Sequence, residues 1–199
     1  MPHDLPLGPD DPLPHRPRRV LVAGASGSGK TSLAREIARR LALPAHELDA
    51  LHHGPNWTPR PEFVADVEAF SAEEQWVTEW QYSKVRRLLA ERADTLVWLD
   101  HPRSLVMRRV VRRTVLRRIR REQLWNGNVE PPLHNIFTDP ENVIRWSWST
   151  YARTGESVRA LMSDPALRHL VVVRLRGQRQ VDAWLDGSLR AAARSEENA

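Results

Sequence analysis

Short apolar runs alternate with amphipathic stretches along most of this chain. Arg18–Gly24 (RRVLVAG) is an apolar run that ends in glycine, the form of a buried parallel strand. Thr31–Leu41 then places Leu33, Ile37, Ala38 and Leu41 at helical spacing. The same reading predicts strands over His46–Asp49, Gln75–Trp80, Thr95–Asp100 and His169–Leu175. Between and after them it predicts helices over Glu62–Phe70, Ser83–Ala93, Pro102 to about Glu122, Glu141–Met162 and Gln178–Ala193. Gly54–Pro61 and Trp125–Pro140 read as loops rich in Pro, Asn and Gly. Five strands alternating with helices imply right-handed crossovers and a parallel sheet covered on both faces, an α/β fold in three layers.

The first 17 residues break the pattern. They hold six prolines and no apolar periodicity, so residues 1–17 are expected to be a disordered tail ahead of one domain over 18–199. No basic, apolar leader is visible and no apolar run is long enough to span a bilayer. No cysteine is present, which excludes disulfides, thiolate metal sites and a cysteine nucleophile. Together these features point to a cytoplasmic protein that does not enter membranes.

Chemistry enters at the end of the first strand. Gly24-Ala25-Ser26-Gly27-Ser28-Gly29-Lys30-Thr31 matches G-x-x-x-x-G-K-[ST] at every fixed position, between a strand and a helix as the motif requires. Glycines let the chain curl so that successive N–H groups surround phosphate oxygens, and the following helix adds its positive end. Lys30 is one of only two lysines among the 30 Lys and Arg residues. It supplies a point charge to the β- and γ-phosphates, Thr31 a hydroxyl for Mg²⁺, and Ser32 continues the loop into the helix. The expected ligand is ATP or GTP.

Ligands of an open parallel sheet sit at the carboxyl ends of its strands. Three acids fall there. Glu79 is assigned to the metal and Asp49 to orienting or deprotonating an acceptor hydroxyl, whereas Asp100, ahead of Pro102, reads as a helix cap. Nine arginines lie between Arg103 and Arg121, and Arg109, Arg113, Arg117 and Arg121 recur every four residues. Met107, Val111, Val115 and Ile119 form the opposing apolar stripe. So dense a positive face suits either nucleotide phosphates during transfer or a nucleic-acid backbone, if it is not a solvated face paired with acids elsewhere. Trp76, Trp98 and Trp184 read as core, whereas Trp57, Trp125, Trp146 and Trp148 lie in or beside polar loops. His52-His53 has no partner at metal-ligand spacing.

Leu99-Asp100-His101-Pro102, followed by Leu105, Arg108, Arg112 and Arg113, resembles the nucleoside monophosphate kinases, adenylate kinase above all. The resemblance implies that Arg108 packs near the base of the nucleotide and that Arg112 and Arg113 reach phosphate. It also implies an acceptor region at about 50–75 and a mobile lid at about 117–140 that carries Arg117 and Arg121. A second resemblance spans most of Arg18–Leu185. The phosphate loop, Leu48-Asp49-Ala50-Leu51, Trp57, Trp76-Val77, Tyr82, Trp98-Leu99-Asp100 and Leu124-Trp125-Asn126-Gly127-Asn128 are similar to bacterial adenylate-kinase-related P-loop proteins labelled "topology modulation protein". Many of those read Asp-Gly-Asn-Tyr after the third strand, where this chain has Glu79-Trp80-Gln81-Tyr82. Trp80 thus stands where a glycine would admit close backbone approach, and the residues with which adenylate kinase holds AMP are missing after Asp49. The implied activity is transfer of the γ-phosphoryl group of Mg-ATP to a small acceptor other than AMP. The alternative is a nucleotide-dependent protein acting on nucleic acid.

Overall fold

The computed structural model describes residues 5–120 and 143–194. Five parallel strands run in the order β2-β3-β1-β4-β5, with β1 Arg19–Gly24, β2 Ala45–His46, β3 Trp76–Glu79, β4 Thr95–Leu99 and β5 Val171–Leu175. The helices are α1 Lys30–Leu41, α2 Leu48–His52, α3 Phe63–Ser71, α4 Ser83–Arg92, α5 Arg103–Arg120, α6 Val143–Met162 and α7 Gln178–Trp184. A π-helical turn, Leu185–Leu189, joins α7 to α8, Arg190–Arg194, within what the sequence predicts as one helix.

The apolar strands feed two cores because alternate residues face opposite sides. Leu21 and Ala23 of β1, Trp76 of β3 and Leu96 and Trp98 of β4 point to one face, where α2, α3, α4 and α6 supply Leu48, Phe63, Val67, Leu89 and Val158. Val20, Val22, Val77, Val97 and Leu99 point to the other, where α1 and α7 supply Leu33, Ile37, Val181 and Trp184. Trp76, Trp98 and Trp184 are buried, as their apolar contexts predict. Among the described residues no helix is long and apolar enough to cross a membrane.

Two expectations change. The strand predicted over His46–Asp49 ends at His46, and Asp49 falls in the first turn of α2. The segment expected to be a disordered tail lies, from residue 5 onward, along the open edge of β5. Leu7 N–H donates to the Val172 carbonyl and Arg174 N–H to that of Leu7, both at 2.8 Å. Leu7 and Leu13 pack on the α1/α7 core, and the Ser188 hydroxyl donates to the Pro9 carbonyl at 3.0 Å. The physical reason is that β5 is an edge strand with bonding groups to satisfy, and proline has already restricted the backbone that satisfies them.

Candidate phosphate-binding and acceptor site

The phosphate loop leaves β1 at Gly24 and enters α1 at Lys30, at the carboxyl edge of the sheet. Its glycines are required by geometry. Gly27 has φ +80° and Gly29 φ +101°, both left-handed. A Cβ at Gly24 would stand 2.4 Å from Ser28 Oγ, and one at Gly27 would stand 2.3 Å from Cγ2 of Val110. The loop is therefore folded tightly on itself and clasped by α5, where Ala25 meets Val106 and Val110 in a small apolar cluster.

Lys30 is half-buried, and its Nζ donates to the Ala25 carbonyl at 3.3 Å, back toward the start of the loop. Burial lowers its pKa. The charges of Asp49 and Glu79 oppose that effect, and those of Arg113 and Arg86 reinforce it. The Thr31 hydroxyl donates to Glu79 Oε1 at 2.7 Å, and the Leu48 N–H donates to Oε2 at 3.3 Å. Burial raises the pKa of Glu79, and these two donors act in the opposite direction. The two residues assigned to magnesium from sequence are thus brought together across β1 and β3.

Asp49 faces the same region. Its Oδ1 accepts from the Tyr82 hydroxyl at 2.6 Å and from the Gln81 amide at 2.8 Å. Tyr82 Oη also lies 3.1 Å from Nε2 of His53, and the His52 ring stacks on the Tyr82 ring with centroids 4.2 Å apart. Tyr82 holds φ +61°, a left-handed angle rare for an aromatic residue, at the N-terminus of α4. Burial and the adjacent Asp49 charge push its phenol well above the ordinary tyrosine range. Phe63 and Trp57 complete an aromatic wall around the two histidines.

On the opposite side of the loop, a cavity of about 450 Å³ is lined by Ser28, Gly29, Ser32, Leu99, Arg109 and Gln178, among others. Arg109 spans its mouth, donating to the Ser28 carbonyl at 3.0 Å and to Gln178 Oε1 at 2.9 Å. The structure selects Arg109 and Arg113 from the arginine row. They lie four residues apart on the side of α5 that carries Val106 and Val110, and Arg113 is close enough to act on Lys30. Of the three arginines brought in by the family resemblance, Arg113 lies on that side, whereas Arg108 and Arg112 are exposed. One residue on a helix is about 100° of rotation, enough to turn them away from the loop. The side chain of Arg117, the whole of Arg121 and Trp125, and the proposed lid beyond residue 120 lie outside the described residues. Asp100, expected as a helix cap, lies three residues ahead of α5, and its carboxylate accepts from Arg174 Nε at 2.8 Å.

Sequence reasoning missed Arg109 and Arg86. The four-residue row contained Arg109, so the periodicity held the signal. Arg86 had none in the sequence.

The loop suits a phosphate tail. A Cβ at Gly24 would fill its curl, the Ser28 hydroxyl is buried inside it without a hydrogen-bond partner among the described residues, and the Lys30 ammonium is bonded to it. The Thr31–Glu79 pair offers the hard oxygens that Mg²⁺ prefers. Among the described residues no group of three or more His, Cys, Asp or Glu could hold a metal alone. Magnesium bound through one or two protein oxygens, with phosphate and water, needs no such group.

No protein-family model matches the chain, and no curated protein gives a significant match. Solved structures do match. A gluconokinase from Sinorhizobium meliloti 1021 aligns over 93% of this chain and 99% of its own at 22% identity, with a TM-score of 0.50. Shikimate kinases from Aquifex aeolicus vf5 and, in complex with shikimate, from Acinetobacter baumannii align over 90% and 91% of this chain. Those alignments cover 97% and 91% of the kinases, at 14% and 15% identity and TM-scores of 0.44 and 0.45. The five-stranded parallel sheet and its covering helices are those of the P-loop kinase fold.

Proposed function

We propose that this protein transfers the γ-phosphoryl group of Mg-ATP to a hydroxyl of a small acceptor. The supporting observation is the convergence of Lys30, the Thr31–Glu79 pair and Asp49 at one end of the sheet. Lys30 neutralises charge on the β- and γ-phosphates, and the loop amides hold the tail. Thr31 and Glu79 would hold Mg²⁺, which supplies neutralisation of the charge that builds on the transferring group. Asp49 accepts the acceptor's proton as its oxygen bonds to the γ-phosphorus and the bond to the β,γ-bridging oxygen breaks. Tyr82 and Gln81 fix the carboxylate by donating to Oδ1, which leaves Oδ2 to take the proton. Arg109 and Arg113 add charge on the side of α5 that meets the loop, which favours phosphoryl transfer over a nucleic-acid backbone as the use of the arginine row.

This reading would fit kinship with topology modulation proteins, and a cytoplasmic location, where ATP is available. The neighbouring folds include kinases of gluconate and shikimate, and small hydroxylated acceptors of that size are the first to test. The experiment is an ATP-dependent phosphorylation screen over sugars, sugar acids, nucleosides and nucleotides, run with wild type and Asp49→Asn. The expected result is turnover of at least one acceptor, reduced by about 10²–10⁴-fold in the variant with nucleotide affinity retained. Protein that binds ATP yet phosphorylates nothing, or an Asp49→Asn variant with wild-type turnover, would overturn the assignment.

A further inference from the structure

Trp80 follows Glu79 at the end of β3 and points to the opposite face. There it joins Trp76, Val85 and Leu89 in the core beneath α3 and α4. Its indole N–H donates to the carbonyl of Arg86 at 3.0 Å. The guanidinium carbon of the same residue lies 5.3 Å from the indole centroid. One tryptophan thus fixes Arg86 twice, by its backbone and by a cation–π contact.

Arg86 has much to gain from a ligand. It is half-buried on α4, and its Nε is shielded from solvent with no hydrogen-bond partner among the described residues. Among the described residues no carboxylate forms an ion pair with it. Burial disfavours its charge, and its field reaches Lys30, where it adds to the repulsion from Arg113. A guanidinium carries five donors in a rigid fork, and burying one without an acceptor is costly. An anion in the site would relieve both the unmet Nε donor and the crowding of three cations.

The two faces of the sheet decide which anion. The cavity beside Ser32, Arg109 and Gln178 is walled by Leu33, Leu99, Val181 and Leu185, all of the α1/α7 core. Trp80 belongs to the other core, with Leu48 of α2 and Phe63 of α3, and Leu51 and Tyr82 pack against it. Asp49 is on that second side as well, bonded to Tyr82. Arg86, stacked on Trp80, is therefore on the Asp49 side of the sheet, away from the nucleotide cavity, and near enough to Lys30 for its charge to act there.

We propose that Arg86, stacked on Trp80, is the anchor for an anionic group of the phosphoryl acceptor, so that the protein selects acceptors bearing a carboxylate or a phosphate. This rests on the phosphoryl-transfer reading above and narrows it to a substrate class. It also gives a role to the tryptophan at a position where a glycine would have left α4 without this platform. Lysine cannot replace the arginine fully, because it lacks both the planar fork and the stacking face.

The test uses the full chain saturated with Mg²⁺ and a non-hydrolysable ATP analogue, which fills the phosphate loop. Calorimetric titrations then compare gluconate with glucose and AMP with adenosine, and add inorganic phosphate. At least one charged member is expected to bind about tenfold or more tighter than its neutral partner. The gluconate arm reports a carboxylate, and the AMP and phosphate arms a phosphate. Arg86→Gln is expected to erase that preference, about 10- to 100-fold, while leaving affinity for the ATP analogue within about twofold. Arg86→Lys, which keeps the charge and serves if the glutamine variant misfolds, is expected to recover only part of it. Wild type that favours no anion over its neutral partner overturns the proposal. So does Arg86→Gln with the preference intact, or with equally weakened nucleotide binding. Failure of wild type to take up the ATP analogue is a separate result that removes the phosphoryl-transfer reading itself.

Discussion

Gly27→Ala probes how the phosphate loop is held. Gly27 sits at φ +80°, and an added Cβ would lie 2.3 Å from Cγ2 of Val110 but at an ordinary 3.4 Å from the backbone of α5. The left-handed angle costs an alanine about 1–2 kcal/mol. Forcing a methyl into the packed contact costs about 1–3 kcal/mol more, for a total of about 2–5 kcal/mol. Val110 is fully buried, and Val110→Ala alone costs about 1.5–3 kcal/mol. In the double variant the clashing methyl is gone, so the overpacking component should vanish and only the backbone strain remain. The double variant is then more stable than the sum of the single effects by about 1–3 kcal/mol. Urea unfolding of the four proteins measures this directly. Titration with an ATP analogue should follow the same order, because a displaced α5 carries Arg109 and Arg113 away from the loop. Effects that add to within about 0.5 kcal/mol would refute the clasp of α5 on Gly27.

Glu79→Gln keeps an oxygen for the Thr31 hydroxyl but removes a buried charge. It should lower turnover by about 10- to 100-fold at limiting Mg²⁺, with partial recovery at high Mg²⁺. Wild-type turnover at low Mg²⁺ would separate Glu79 from the metal. Acid pH should destabilise the fold, because burial depresses the pKa values of His46, His52 and His101 below the ordinary 6.5. Above pH 6.5 these rings are neutral in both states. As pH falls through 6.5 the unfolded chain takes up protons first, and stability drops until the folded values are passed. Glu79, whose pKa is raised, acts in the opposite sense from pH 4.5 upward, so Glu79→Gln should steepen the decline. Melting temperatures between pH 5 and about 7.5 measure both effects. A flat profile would contradict the lowered pKa values of these imidazoles.

The parts of this fold that were legible share one physical property: their signal is local. Arg18–Gly24 and Thr95–Asp100 are apolar runs because both faces of the sheet are covered, and the phosphate loop needs glycine at fixed positions for its left-handed turns. The lost parts depend on neighbours distant in sequence. Residues 5–17 are ordered by the open edge of β5, more than 150 residues away, which no composition rule reveals. Asp49 reads as a strand-end residue but lies in α2, since a two-residue β2 carries no periodicity. Arg109 and Arg108 differ by one position in a dense arginine row, and only the packing of Val106 and Val110 against Ala25 decides which turns to the loop. Arg86 was invisible because its environment is made by Trp80, whose own presence read only as a departure from relatives.

The central claim is that the Gly24–Thr31 loop, with its Lys30, binds the phosphates of ATP. Isothermal titration of wild type and Lys30→Ala with ATP in the presence of Mg²⁺ tests it most directly. Wild type should show saturable one-site binding, weakened about 10- to 100-fold or more in the variant at an unchanged melting temperature. No heat of binding to wild type at millimolar ATP, or equal affinity in the two proteins, would contradict it.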